Sequence, residues 1–335
     1  MTQLLGLILF SFFTTSIFLV PFIDFVFYLK RKFEKGKQVK ESSDTPIHDQ
    51  LMKKDENIPS GGGLLLIPIL IILSLAFGFF SINPNNVVLL ILVTTLTSFG
   101  LLGAADDFKL IFTKRSGKFL GLGRKEIFGL QIMFGIIISS LLYFLVGLNN
   151  LYVPLLGNYI IDFWYIPFAT FIIVSFSNAY NISDGLDGLA AGLLTICLFA
   201  FLAISLQYLD LTLGSFIGIW IGSLLAFLYF NIWPARIFLG DAGAFAFGAT
   251  LAVVGLLTGK ILAFAIIGGM FFVIVSSSLL QIISKRFFSK KILPVAPLHM
   301  YFKYIGWQES KIVFRFWLAQ ALFAILGVWI ALLSK

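Results

Sequence analysis

Residues 188–207 read GLAAGLLTICLFAFLAISLQ, a run of twenty positions without a charged side chain. A helix needs ~20 apolar residues to cross the hydrocarbon core of a bilayer, and this run supplies them without a break. Working outward, it is preceded by the polar stretch NAYNISDGLD (178–187) and followed by YLD (208–210), and beyond each lies another apolar run. Along the whole chain about ten segments reach spanning length, near 3–29, 62–82, 87–105, 127–147, 160–179, 188–207, 211–231, 243–258, 261–284 and 313–333. In hydrocarbon every backbone amide must pair internally, which leaves helices or a closed barrel. Long runs that lack in–out alternation exclude the barrel. The predicted fold is all-α, one polytopic membrane domain over residues 1–335 with about ten transmembrane helices.

Composition agrees. Of 335 residues, 59% are hydrophobic and 12% charged, with a mean hydropathy of +1.00 and 39 phenylalanines. A soluble domain carries about 25% charged residues, so a chain of two or three soluble domains is excluded. The net charge of +8 has no soluble domain on which to build a nucleic-acid site, so no nucleic-acid partner is expected; a cytoplasmic membrane rim uses that charge better. The lone Cys197 lies in an apolar run and reads as a small buried hydrophobe, with no disulfide framework. The first segment has no basic n-region and is too long and aromatic for a signal peptide, so it is read as a retained helix.

The basic residues set the orientation. Of 24 Lys and Arg, 22 fall in the loops after segments one, three and seven and in the stretch from Lys285 to Arg315; only Lys260 and Lys335 fall elsewhere. The positive-inside rule then predicts cytoplasmic loops near 30–61, 106–126, 180–187, 232–242 and 285–312, with both termini extracytoplasmic. The expected location is the cell inner (plasma) membrane, multi-pass.

Five aspartates fall at the cytoplasmic ends of the predicted helices. Asp106 and Asp107 close segment three in GAADDFKL, Asp184 and Asp187 lie in NAYNISDGLDGLAAG, and Asp241 lies in NIWPARIFLGDAGAFAFG. Ionisable groups at the membrane margin are costly and tend to be functional. Hard cations such as Mg²⁺ take carboxylate oxygens, often only one or two, together with substrate phosphates. Asp184 and Asp187 are three apart, so a helical start would place both on one face, and Gly185 and Gly188 leave room for a ligand at the backbone. The competing structural reading is that these aspartates cap helices. Gly61, Gly62 and Gly63 open segment two, and a glycine-rich turn at a helix N-terminus can cradle phosphate or act as a hinge into the bilayer. His299 lies in a basic, aromatic loop on the aspartate side, whereas His48 lies in a polar stretch and reads as solvated.

NISDGLDGLA, FLGDAGAFAFG and the adjacent aspartates resemble the polyprenyl-phosphate N-acetylhexosamine-1-phosphate transferases, and the likeness covers nearly the whole chain. GKQVKESSDTPIHDQLMKKDENIPSGGG and PLHMYFKYIGWQESKIVFRFW look like the first and last cytoplasmic loops of the bacterial branch that makes peptidoglycan. The resemblance implies ten transmembrane helices, a cytoplasmic active site and a Mg²⁺ cofactor. It implies transfer of phospho-MurNAc-pentapeptide from UDP-MurNAc-pentapeptide to undecaprenyl phosphate, with release of UMP, by a homodimer in contact with membrane lipid. By motif, Asp241 corresponds to the Mg²⁺-ligating aspartate and Asp106 to a proposed base toward the lipid phosphate, with Asp107 beside it. Asn181, Asp184 and Asp187 match the motif around nucleotide and metal. Asn231 and Phe238 match positions lining the cleft, Phe238 near the uracil, and His299 matches the first histidine of a family triplet. Lys114, Arg124 and Lys125 are candidates for phosphate or headgroups at the rim.

The chain departs from that pattern at Met300 and Tyr301, where the family has two further histidines, and at Asp55, which stands at the nearest ungapped position to a family lysine, just after Lys53 and Lys54. After the aspartate pair the order is also shifted, giving DDFKL. Three other readings compete: a sister transferase that takes UDP-GlcNAc or a related UDP-sugar, a transporter, and an assembly scaffold without catalysis. Transporter sites lie near the bilayer midplane, whereas these charges lie at one rim.

Overall fold

The computed structural model describes residues 2–34, 58–80, 86–116, 123–153, 157–207 and 210–333. The predicted segments appear as helices α1 (Thr2–Glu34), α2 (Gly62–Phe80), α3 (Asn86–Ser116), α4 (Arg124–Leu141), α5 (Tyr165–Ser183), α6 (Leu189–Gln207), α7 (Leu211–Asn231) and α8 (Gly240–Leu257). They are followed by α9 (Ile261–Ile267), α10 (Gly269–Phe288), α11 (Leu298–Tyr304) and α12 (Glu309–Leu333). Among the described residues, nine helices are long and apolar enough to cross a membrane, and Gly62–Gly78 of α2 is a shorter apolar helix. The chain is an all-α polytopic membrane protein.

Three boundaries differ from the sequence reading. The segment read as 261–284 is broken at Gly268 into α9 and α10. A broken helix in a bilayer needs neighbours to take up its freed amides and carbonyls, and Gln320 of α12 does so. Its Nε2 donates to Ile267 O and its Oε1 accepts from Met270 N at 3.3 Å. The single cysteine lies at the same break, with Cys197 Sγ donating to Ile267 O at 3.3 Å. The segment read as 160–179 is preceded by a hairpin, β1 (Asn150–Val153) paired antiparallel with β2 (Gly157–Ile160), and its helix runs from Tyr165 to Ser183. The loop read as 285–312 contains the end of α10 and the whole of α11.

The core is built on α6, α7 and α8, where 72%, 78% and 83% of the apolar stretch is buried inside the protein. Between helices in lipid, close packing of small residues and interhelical hydrogen bonds replace hydrophobic exclusion as the cohesive force. Side-chain hydrogen bonds tie these neighbours together, from Thr15 Oγ1 on α1 to Ser223 Oγ on α7 (3.0 Å) and from Ser177 Oγ on α5 to Phe245 O on α8 (3.2 Å). Small residues allow the crossings. A Cβ at Gly222 of α7 would lie 2.2 Å from Ile8 O, and one at Gly248 of α8 would lie 2.4 Å from Phe176 O. Successive long helices alternate in direction, so the end of α3, the end of α5, the end of α7 and the start of α8 meet at one end of the bundle. Lys260, one of the two basic residues outside the basic loops, lies at the other end with its Nζ 4.3 Å from the centre of the Tyr152 ring in β1.

Candidate active site

At the carboxylate end of the bundle is a cavity of about 220 Å³, lined by Ser60, Asp107, Asn181, residues 184–187, Phe238, Gly240 and Asp241. Six residues singled out from the sequence therefore share one wall: Asp107, Asn181, Asp184, Asp187, Phe238 and Asp241. They come from three separate stretches of chain, brought together because the helix ends that carry them meet at one end of the bundle.

Asp184 and Asp187 do not share a helical face. α5 ends at Ser183, Asp184 is its C-terminal cap with φ −82° and ψ 48°, and residues 184–188 form a turn before α6. Both reach the cavity because this turn is pinned on several sides. Asp187 Oδ2 accepts from Ala235 N at 2.8 Å, and Asp187 N donates to Glu309 Oε1 at 3.2 Å. Gly188 adopts φ +75°, a conformation open to glycine at no steric cost, and its amide donates to Asn231 Oδ1 at 3.2 Å. Asn231 Nδ2 in turn donates to Ile237 O at 2.9 Å. Asn231 is thus buried behind the cavity, joining its two loops.

His299 is also behind the wall. It is buried, and a Cβ at Gly185 would come within 2.9 Å of its Nε2. His299 therefore packs directly beneath the backbone of the aspartate turn. Met300, at a departure from the family histidines, is 1% exposed and belongs to the hydrophobic core, so its apolar side chain suits its place.

The amides of glycines 61–63 are taken up within the protein. The Gly61 and Gly62 amides donate to Phe238 O at 3.1 and 2.9 Å, the Gly63 amide donates to Leu239 O at 2.8 Å, and Phe238 N donates to Pro59 O at 2.9 Å. These bonds clip the entry of α2 onto the strand-like stretch before α8 and place the Phe238 ring at the cavity. The absence of side chains serves close packing: a Cβ at Gly63 would lie 2.3 Å from Gly243 N.

Asp107 has both carboxylate oxygens engaged, Oδ1 by Asp241 N at 3.1 Å and Oδ2 by Ala242 N at 3.0 Å. Asp106, half-buried, is within hydrogen-bonding reach of the Asp241 carboxyl. Burial first, then the charges of Asp187 and Asp107, push the Asp184 carboxyl up to about 7. No lysine or arginine lines the cavity among the described residues. Such a cluster of carboxylates favours a ligand that brings positive charge. Among the described residues no three His, Cys, Asp or Glu side chains form a ready metal cage. That donor set fits Mg²⁺, which is held by one or two carboxylates plus substrate phosphates. Asp107 gives both oxygens to backbone amides and Asp187 gives one, which leaves Asp184 and Asp241 as the first candidates to hold the ion.

Lys125 is exposed at the start of α4, away from the cavity lining. The side chain of Lys114, together with His48, Lys53, Lys54 and Asp55, lies outside the described residues. Two contributors were not singled out from the sequence. Ser60 lines the cavity, and Glu309 holds the Asp187 amide while pairing with Lys303 at 3.0 Å. Glu309 had a signal, since it is the one acidic residue among the many cations between 285 and 315. Ser60 had none apart from its place before the glycines.

Residues 87–259 match the family model of glycosyl transferase family 4. The chain is 38% identical over 295 residues to the phospho-N-acetylmuramoyl-pentapeptide-transferase of Caldanaerobacter subterraneus subsp. tengcongensis, covering 88% of this chain and 89% of that protein. It is 34% identical over 339 residues to the protein of the same name from Oceanobacillus iheyensis, covering 98% of each. The relative of that name from Staphylococcus haemolyticus is 34% identical over 305 residues, covering 90% of this chain and 92% of the other. The chain belongs to glycosyl transferase family 4 and, within it, to the phospho-N-acetylmuramoyl-pentapeptide-transferase family.

Proposed function

We propose that this membrane enzyme transfers phospho-MurNAc-pentapeptide from UDP-MurNAc-pentapeptide to undecaprenyl phosphate, forming a lipid-linked pyrophosphate and releasing UMP. The observation that carries the reading is the cavity, where aspartates from three parts of the chain meet at one end of a spanning bundle, in a chain of this family. A soluble nucleotide-sugar and a lipid phosphate can meet at such a boundary. We place this end on the cytoplasmic face of the plasma membrane, because the basic loops lie at the same end, and hence both chain ends on the other face. A homodimer is the assembly the family reading favours.

An oxygen of the lipid phosphate attacks the phosphorus attached to the sugar, and the bond from that phosphorus to the oxygen bridging to UMP breaks. Transfer of this kind depends chiefly on positioning and electrostatics. Asp184 and Asp241 would hold Mg²⁺, with Asp187 at the wall beside them. When bound, that ion neutralises pyrophosphate charge and stabilises the departing UMP. Asp106, beside Asp241, orients the lipid phosphate or removes its last proton; near pH 7 the phosphate is already an anion. Phe238 offers its ring to the uracil, and Asn181 offers an amide to the nucleotide. His299 and Asn231 support the loops from behind.

Purified protein in detergent, given undecaprenyl phosphate and Mg²⁺, tests the reading. UMP release is expected with UDP-MurNAc-pentapeptide and not with UDP-GlcNAc. Release from UDP-GlcNAc alone would assign the chain to a sister activity, and release from neither would overturn both donor assignments. Within that assay, near-normal turnover by Asp106→Asn with unchanged substrate binding would remove the proton-transfer role.

A further inference from the structure

We propose that Asp107 serves the reaction through Asp241, as a positioning residue that holds the first turn of α8. The inference rests on the reading of Asp241 as a metal-ligating carboxylate. The first amides of any helix lack partners within it, and α8 begins at the cavity wall, packed against α3. Its N-cap position is Leu239, whose side chain has no oxygen to offer. The acceptor comes instead from another helix: Asp107 of α3 takes the amide of Asp241 on one oxygen and that of Ala242 on the other.

This bidentate grip is one half of a clamp on a single residue. Gly103 is four residues before Asp107 and so lies on the same face of α3. A Cβ at Gly103 would come within 2.1 Å of Asp241 O. One helix face therefore meets the N–H of residue 241 through Asp107 and its C=O through the bare backbone at Gly103. Gly240, at φ +81°, makes the sharp entry possible, and a Cβ there would lie 2.9 Å from Asp107 Oδ2 and 2.8 Å from Ser60 Oγ. With N–H and C=O both held, the direction in which the Asp241 side chain leaves the backbone is set. The adjacent aspartates divide the work: Asp106 meets the side chain of Asp241, and Asp107 holds its backbone.

Partners that orient a metal ligand are worth about 10–100-fold in metal affinity or activity. Hydrogen exchange of the segment 237–247 in metal-free protein reads the clamp without activity. Asp107→Ala is expected to speed exchange at the Asp241 and Ala242 amides and to raise the half-saturating Mg²⁺ concentration about 10–100-fold, with much of the turnover recovered at saturating Mg²⁺. Asp107→Asn keeps one acceptor and is expected to fall between; it carries the same readouts if the alanine variant does not fold. Unchanged exchange, with turnover lost at every Mg²⁺ concentration, would overturn the proposal and put Asp107 on the substrate. Asp241→Asn separates the two ideas. Normal Mg²⁺-dependent turnover in that variant would sink the ligand reading, whereas unchanged exchange in Asp107→Ala sinks only the clamp.

Discussion

Helices α8 and α10 are similar in length and apolarity, yet 83% of the apolar stretch of α8 is buried inside the protein and only 17% of that of α10. In water such a difference would follow hydrophobicity. In a bilayer the lipid is as apolar as leucine, so hydrophobicity assigns no helix to the centre. The difference lies in side-chain size. α8 reads GDAGAFAFGATLAVVGLL, with glycine or alanine at half its positions, and α10 reads GMFFVIVSSSLLQIISKRFF. The small residues let α3, α5 and α2 approach the α8 backbone. The helix that can be surrounded is the one that can present Asp241 in a cavity walled by other helices, while α10 ends in Lys285 and Arg286 at the exposed rim.

The comparison can be broken at several points. The largest expected effect is at the head of α8, where Asp241→Asn should lower UMP release roughly 10³-fold, since a metal's charge stabilisation is worth several kcal/mol. Lys285→Gln at the tail of α10 should stay within about twofold in the same assay, as expected of an exposed surface change. Equal losses would show that the two helix ends are not functionally distinct. Packing gives the next effect. Gly248→Ala puts a methyl against the Phe176 carbonyl and should cost about 1–3 kcal/mol by overpacking. Ile282→Ala on α10, 60% exposed, should cost less than about 0.5 kcal/mol. Thermal unfolding in detergent reads both.

Asn231→Ala removes the link between Gly188 and Ile237 just before α8, and should reduce turnover about tenfold, as loss of a supporting partner does, with the fold retained by circular dichroism. The last prediction concerns pH. The Asp184 carboxyl is raised from 3.8 to about 7, first by burial and then by its acidic neighbours. Cation binding requires the ionised form, so Mg²⁺ affinity should fall about tenfold per unit as pH drops below 7. In metal-free protein the folded state binds this proton more tightly than the unfolded chain does. Asp184 therefore contributes stability below about pH 4 that is lost as pH rises through 7. Calorimetric Mg²⁺ titrations at pH 6, 7 and 8 that gave equal affinities would contradict the shift.

Much of the site was legible. Asp184, Asp187 and Asp241 stand out because charge is costly beside long apolar runs, and all reach the cavity. The helical-face argument for Asp184 and Asp187 gave the right neighbourhood for the wrong reason, because a turn with Gly188 at positive φ brings them there. The glycines 61–63 were legible as special, but their use was not: phosphate binding and helix packing call for the same residue, and only the positions of Phe238 and Gly243 decide between them. The break at Gly268 was hidden because an apolar run looks the same whether its helix is continuous or interrupted, and the residue that supports it, Gln320, is 52 positions away. The capping role considered for the aspartates applies to Asp107, but for a helix other than its own.

The chain by itself determined that this is a spanning helical protein, about how many helices it has, and that its aspartates and most of its cations gather at loops of one set. Those properties follow from local chemistry, the cost of placing a charge or an unpaired amide in hydrocarbon. Tertiary structure alone decided which helix is central, which glycines are crossings, and which aspartate carboxylates are engaged by backbone amides. These depend on contacts between residues far apart in sequence, such as Asp107 with Asp241, and on steric fit, which apolar patterning does not record.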